Sequence, residues 1–416
     1  MSEQVKPSVI IVGAGLGGVL LGALLEKCSV PYTILERASS VKPLGSAMSI
    51  GSSLIPILRQ LGCYDEFVAI GKRSIVSETW KESTYGYTLD FLPREEFSGE
   101  IQYIVSRPLL YNILLKQIPP HKIQFGKRVL LTKETEDKER VNVQTADNAV
   151  YECDILVGAD GAYSAVRQRL YEALKNEGKL PKSDQEDLPF SSQTSKAAED
   201  QRFRNSDNSE WGPLAAQSMC DETREFPIAF GNGKMTLGDL YDRTPKELIS
   251  KVMLEEKVFK TWYYGRTVLL GDACHKLHPA GGMGAVTSMH DAIALANLIY
   301  CLPSTNQDDI TQMFSEYKAE RLPPVTAAFN SSRSLAKGME KGWSGLVAFY
   351  ITKYMPVWLW RLFLKGMIKN RLRCGFLEEI EDKGTVPPAY SASYEKARAL
   401  YNKRNGIKPA AAAAPI

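Results

Sequence analysis

The chain is short of the features that mark several common functions. It has no C-x-x-C pair: its seven cysteines, Cys28, Cys63, Cys153, Cys220, Cys274, Cys301 and Cys374, are scattered and odd in number. That argues against a disulfide framework or a zinc site, and for reduced thiols in a reducing compartment such as the cytoplasm. Net charge is only +3 over 416 residues, and no dense Lys/Arg run with interleaved aromatics occurs, so nucleic acid is not an expected partner. No nucleophile–base constellation is evident, so no side chain stands out as catalytic. The apolar run from Val9 to Leu25 is shaped like a secretory core, but five glycines interrupt it and no small-residue cleavage site follows before Glu26-Lys27. It is also short for a membrane span. What is present is an ordinary globular composition, 44% apolar and 24% charged, in a chain long enough for two or three structural units.

The same run reads better as a buried strand entering a helix. Ser8–Val12 is β-branched and apolar, as a buried parallel strand should be. Gly13-Ala14-Gly15-Leu16-Gly17-Gly18 fits G-x-G-x-x-G. Gly13 permits the tight turn, Gly15 lets backbone approach a pyrophosphate, and Gly18 lets the helix pack closely on the strand. A phosphate would sit at the helix N-terminus, where free N–H groups and the helix dipole favour anions. Tyr32–Leu35 is the next strand, and Glu36 ends it, 23 residues after Gly13. An acid there binds both hydroxyls of an unphosphorylated adenosine ribose, as in FAD or NAD.

Two further strand ends carry an acid and glycines. In "VYECDILVGADGAYSAVRQRL" a buried strand over 154–157 meets Asp160-Gly161, and a helix begins near Ala162. A plain turn is the bland reading of Asp-Gly. In "VLLGDACHKLHPAGGMGAVTSMHDAIALA" a strand over 268–271 meets Asp272, and Pro279 and Gly281-Gly282-Met283-Gly284 lead into a helix over 285–300. A carboxylate at Asp272 can accept hydrogen bonds from sugar-like hydroxyls, and the helix start can stabilise negative charge on a bound ring.

Taken together, the G-x-G-x-x-G, "GADGAYSAVR" and "GDACHKLHPAGGMGA" motifs resemble the FAD-dependent aromatic hydroxylases, the single-component flavoprotein monooxygenases of the para-hydroxybenzoate hydroxylase type. The order and spacing of three motifs are far more specific than any one. The resemblance covers most of residues 8–175 and 225–335, and is greatest to the fungal secondary-metabolism members that act on polyketide and terpenoid intermediates. It implies an α/β fold: a Rossmann-like FAD-binding domain (1–175 and 265–335) with an inserted substrate domain (176–264), which departs from the family's pattern in reading as shortened; the chain's last residues read as a C-terminal helical segment with a disordered tail (336–416). It implies FAD as cofactor, NADPH or NADH as a transient reductant, and dioxygen and a hydrophobic small molecule as substrates. Gly13, Gly15, Gly18 and Glu36 would bind the ADP half of FAD. Asp160 and Gly161 would serve FAD and passing NAD(P)H, and Asp272 the ribityl chain. Gly282, Gly284 and Ala285 would lie beside the pyrimidine edge. Arg107, opening "SRPLLYNILL", and Ser49, within "LGSAMSIG" (44–51), would also meet the flavin. In such enzymes the cofactor carries the chemistry while the protein positions its partners and excludes water.

The implied activity is hydroxylation or epoxidation of an aromatic or isoprenoid compound. Two alternatives stay open: a flavin-binding homologue that no longer hydroxylates, and a related flavin-dependent reductase. The first is suggested by the region between the second and third motifs, where 175–212 is polar, with almost no alternating apolar residues, and reads as exposed loop. After it the sequence predicts a helix over 212–223, a loop to Asp242, a helix after Thr244-Pro245 and a strand over 258–264. His275 reads as positional rather than acid–base, His290 as solvent-facing or helix-packing, and His121 as loop. Over 308–321 an amphipathic helix is expected, broken or kinked at "RLPPV". The stretch "WSGLVAFYITKYMPVWLWRLFLKGMIKNRLR" (343–373) holds three of the six tryptophans and many large apolar residues, interrupted by Lys353, Pro356 and Arg361. It reads as a helical hairpin that packs on the cofactor domain or a second copy of the chain, or that lies against a membrane surface.

Overall fold

The computed structural model describes residues 6–40, 47–81, 84–185, 213–228, 235–246, 249, 256–339 and 342–407. The chain opens with Val9–Val12 (β1), Leu16–Lys27 (α1), Tyr32–Leu35 (β2), Ala47–Ile50 (β3), Ile55–Gln60 (α2), Tyr64–Ile70 (α3) and Lys72–Arg73 (β4). It continues through Val76–Lys81 (β5), Thr84–Asp90 (β6), Pro93–Ser98 (α4), Tyr103–Ser106 (β7), Arg107–Leu115 (α5) and Ile123–Gln124 (β8). Next come Val129–Glu134 (β9), Val141–Thr145 (β10), Val150–Cys153 (β11), Ile155–Gly158 (β12), Ala165–Asn176 (α6), Lys182–Gln185 (α7), Pro213–Thr223 (α8) and Leu237–Arg243 (α9). The last part holds Lys257–Val258 (β13), Tyr263–Tyr264 (β14), Thr267–Leu269 (β15), His275–Lys276 (β16), Gly284–Tyr300 (α10), Gln307–Met339 (α11), Trp343–Lys353 (α12), Val357–Met367 (α13) and Ala392–Asn405 (α14).

The main sheet has the order β14-β15-β12-β1-β2-β8. Five of its strands are parallel, and β14 folds back antiparallel on β15. Every residue of β1, β12 and β15 is buried, which is why their sequences are continuous apolar runs. Register places the site. Val12 pairs with Gly158, and Gly158 with Leu269. The carboxyl ends of three adjacent parallel strands therefore lie in one row, and the loops leaving them stand side by side. In α/β sheets that edge is where ligands bind.

Smaller layers complete the frame. β3, β7 and β4 form an antiparallel sheet, β5 and β6 a hairpin, and β9, β10 and β11 a meander. α1 and α10 approach so closely that a Cβ at Gly17 would fall 2.2 Å from Ser288 Oγ.

Several expectations are corrected. The strand expected over 258–264 is split, because the Lys260 and Thr261 N–H groups donate to the Asp184 carboxylate at 3.2 and 2.9 Å instead of to a neighbouring strand. Only its ends pair, β13 with β16 and β14 with β15. The expected loop to Asp242 contains α9. Its start is a capping box in which Thr236 and Asp239 satisfy each other's backbone N–H groups. α11 runs through Pro323 and Pro324 as one helical segment. The two prolines remove hydrogen bonds, but Phe314, Tyr317 and Arg321 before them and Val325 after them are buried and hold both halves against the core. The polar loop beyond 185, the helix after Pro245 and the tail after Lys408 lie outside the described residues.

Candidate active site

The first strand-end loop is the glycine turn. Gly13 has φ +105°, and a Cβ there would come 2.5 Å from the Ala159 carbonyl oxygen, so only glycine fits. Gly18 passes so near the turn that a Cβ would lie 2.1 Å from the Gly13 oxygen. Gly15 is the N-cap of α1. Its Cβ direction meets nothing within 4 Å, because it opens on a cavity. Glu36 closes the turn from below: its carboxylate accepts the Ala14 and Ala38 N–H groups, both at 2.8 Å. Glu36 is absent from the cavity lining.

In the second loop, Asp160 turns away from the cavity. Its carboxylate accepts the Ser164 hydroxyl at 2.5 Å and the Ala165 and Val166 N–H groups at 2.7 and 3.2 Å, so it anchors the start of α6. Burial pushes its carboxyl up, against the pull of those hydrogen bonds. Gly161, at φ +81°, faces open space and lines the cavity. Arg167 is buried and ties this loop to the next, donating to the Ala162 and Ala273 carbonyls at 2.8 and 2.9 Å.

The third loop supplies Asp272, which projects into the cavity. Asp272 stays exposed at the cavity mouth, and partial desolvation in the concave site pushes its carboxyl up from the usual range, opposed by His275 and Arg107. Gly282, at φ +61°, ends a 3-10 turn and faces open space. Gly284 opens α10, and a Cβ there would stand 4.0 Å from Asp272 Oδ1. The cavity holds about 650 Å³ and is lined by Gly15, Ser49, Arg107, Gly161, Asp272, Gly282, Gly284 and Ala285, residues drawn from 15 to 285. The structure thus gathers eight of the twelve expected site residues on one surface. Gly13, Gly18, Glu36 and Asp160 are not among the lining residues and shape the loops that carry it.

Beneath Asp272 lies a buried charged network. Asp291, fully buried, accepts the Gly271 N–H at 3.1 Å, contacts His275 Nε2 at 2.6 Å and pairs with Arg321 Nε at 2.8 Å. Burial alone would push the Asp291 carboxyl up, but the positive field of His275 and Arg321 carries it below the usual range. Cys274, His275 and Asp291 bring three donor atoms within 4.8 Å of one another. The arrangement suits an ion-pair network better than a metal: Arg321 already holds the carboxylate, and full burial drives the Cys274 thiol well above its ordinary value. His290 packs rather than faces solvent. It contacts the Ser53 carbonyl at 2.9 Å, and burial lowers its pKa to about 4, leaving it neutral.

The family model described as "FAD binding domain" matches residues 6–223 and 239–332. The chain belongs to this FAD-binding family. The FAD-binding chain is 26% identical over 410 residues to the FAD-dependent monooxygenase paxM of Penicillium paxilli, covering 85% of this chain and 82% of that one. It is 26% identical over 375 residues to the 6-hydroxynicotinate 3-monooxygenase of Bordetella bronchiseptica, covering 82% and 95%. Among solved structures, Klebsiella pneumoniae HpxO complexed with FAD and uric acid superposes with a TM-score of 0.66 at 18% identity, over 87% of this chain and 96% of that one. The likeness to the FAD-dependent aromatic hydroxylases, fungal secondary-metabolism members included, is borne out, as is the α/β fold.

Sequence reasoning named Ser49 on β3 but not the apolar residues beside it on the same cavity wall. Met48 on β3 and Ile104 on β7 line the cavity from a sheet separate from the main one. Burial alternates along "YIVS", the period of a strand with one face on the core, but Tyr, Ile and Val in succession carry no such alternation in the sequence. Leu270 and Ser288 were also missed, since neither is a residue type that marks chemistry.

Proposed function

We propose that this chain is an FAD-dependent, NAD(P)H-using monooxygenase that hydroxylates or epoxidises a hydrophobic aromatic or isoprenoid small molecule. One atom of dioxygen goes to the substrate and the other leaves as water, with two electrons from NADPH or NADH. The observation that carries this reading is the convergence of three separated motifs on one cavity of about 650 Å³ at the carboxyl edge of the sheet.

The residues present fit the cofactor. Gly15, Gly161 and Gly282 each face open space where a Cβ would intrude, which suits close backbone approach by an extended dinucleotide. In this reading Gly13, Gly15, Gly18 and Glu36 shape and hold the ADP end, and Asp160 and Gly161 set the second loop beside it. Asp272 accepts from the polyol hydroxyls. Gly282, Gly284, Ala285, Ser49 and Arg107 border the ring. When bound, the flavin supplies electron acceptance from the nicotinamide and oxygen activation. The chain itself supplies the start of α10, whose free N–H groups favour negative charge, and the apolar side chains of Met48 and Ile104, which exclude water.

The same reading takes 1–175 and 265–335 as the cofactor domain, 176–264 as a shortened substrate segment and 336–416 as a C-terminal segment. It takes the protein as cytoplasmic, with 343–373 a contact either to a membrane surface, as a peripheral protein, or to a second copy of the chain; no helix among the described residues is long and apolar enough to cross a membrane. A second reading, a flavin-binding homologue without hydroxylase activity, draws on the same segment 176–264, whose described residues hold three short helices and, as β structure, only two strands of two residues and one isolated bridge. An absorbance spectrum of the purified chain followed by aerobic NADPH addition tests the proposal. A flavin spectrum that bleaches and recovers, with product oxygen derived from dioxygen, is expected. Bleaching with no product across phenolic and isoprenoid candidates favours the second reading, and a chain that refuses FAD overturns both.

A further inference from the structure

The consecutive helices α12 and α13 each present an apolar side outward. On α12, Trp343, Leu346, Val347, Tyr350, Ile351 and Tyr354 are exposed, a spacing that forms one helix face. The opposite face is the one that packs, with Phe349 set 5.2 Å from the Tyr87 ring on β6. On α13 the division repeats. Leu364 is buried beside Phe97, and Trp360 lies 5.5 Å from Phe91, while Trp358 and Leu362 are 68% and 60% exposed. Exposed apolar faces of this kind on a folded chain mark a docking surface.

Charge decides what docks there. Residues 343–373 hold six Lys or Arg and no Asp or Glu. Arg361 pairs with Glu96, and Arg371 and Arg373 with Asp382. Lys353, Lys365 and Lys369 are exposed and form no ion pair among the described residues. A two-fold contact between copies would set this face against itself and bring cation to cation. Anionic lipid headgroups complement it. Each helix has 11 residues, a rise of roughly 16 Å, about half the hydrocarbon thickness of a bilayer. Such helices, with Trp and Tyr among apolar residues and Lys at the margin, suit the interfacial plane.

The surface is also connected to the cavity. Arg94 donates to Met367 Sδ at the end of α13 at 3.3 Å and to the Gln102 side-chain oxygen. Gln102 in turn donates to the hydroxyl of Ser49 in the cavity wall.

We propose that α12–α13 is the surface by which this chain docks on anionic membranes, lying in the headgroup layer beside the wall of the flavin cavity. This rests on the peripheral placement of the protein under its proposed function and is independent of the reaction. The test is flotation of the FAD-loaded full chain with vesicles of phosphatidylcholine alone or mixed with phosphatidylserine. The chain is expected to float with the mixed vesicles and far less with the neutral ones. Trp358→Ser with Leu362→Ser should abolish flotation. Lys353→Gln with Lys365→Gln should lower partitioning onto the mixed vesicles on the order of 30-fold, about five-fold per lysine. All variants should keep their flavin absorbance, which excludes misfolding as the cause. Flotation that both double variants retain would leave the peripheral placement standing and overturn this surface. A wild-type chain that never floats overturns both; if it instead forms a dimer that Trp358→Ser with Leu362→Ser dissolves, the face is a contact between copies.

Discussion

Replacing Asp291 by alanine removes one side chain and strands three partners. Arg321, 1% exposed, loses its only charge partner among the described residues, and the Gly271 N–H and His275 Nε2 lose their acceptor. Breaking a buried pair from one side costs about 3–5 kcal/mol, a large part of ordinary total stability. With an unfolding entropy of about 2.1 cal/mol/K per residue, 416 residues give roughly 0.9 kcal/mol/K, so a loss of about 4 kcal/mol lowers the melting temperature by ~5 °C. The FAD-loaded chain should show this by calorimetry above pH 5. Acid supplies a second reading. A carboxyl held below its ordinary value stabilises the fold above that value and loses the contribution as pH falls through the folded pKa, so the gap between wild type and variant should narrow below about pH 4. Asp291→Leu combined with Arg321→Met removes both charges together and should recover much of the loss. A melting temperature for Asp291→Ala within ~1 °C of wild type would refute the reasoning.

Asp272→Ala should weaken FAD retention by on the order of 10–100-fold, the loss of one or more hydrogen bonds to a charged group, measured by flavin fluorescence on dilution; unchanged flavin content counts against the assignment. For His290 the folded pKa is depressed to about 4 while the unfolded value is near 6.5, so the fold loses roughly 3 kcal/mol as pH falls from about 6.5 to about 4. His290→Gln should flatten that stretch of the stability-versus-pH curve, and an unaltered slope would show that another group sets it.

Local patterns made much of this protein legible. Val9–Leu35 could be read because a buried parallel strand, a glycine turn and a second strand each leave a sequence pattern of their own. The three acids could be placed at strand ends for the same reason. Their orientations could not. Asp160 and Asp272 occupy equivalent places, yet one carboxylate anchors a helix and the other enters the cavity: the first accepts the hydroxyl of a serine four residues on and the first N–H groups of the helix that follows it. The wall from Met48 and Ile104 depends on long-range pairing of β3 with β7, which no local pattern specifies. The prolines of α11 show tertiary burial overriding a local rule, since Arg321 is held by Asp291 just before them.

The row formed by Val12, Gly158 and Leu269 has a consequence for assembly. Those pairings close chain separations of 146 and 111 residues, so the cavity is a high-contact-order object, complete only when the third strand docks. Such pairings form slowly, after the cost of closing large loops has been met. A nascent chain that has emerged only as far as Gly161 carries two of the three loops and cannot enclose the cofactor. Flavin capture is therefore a late event in biogenesis, and FAD supply can set how much of the newly made protein escapes degradation.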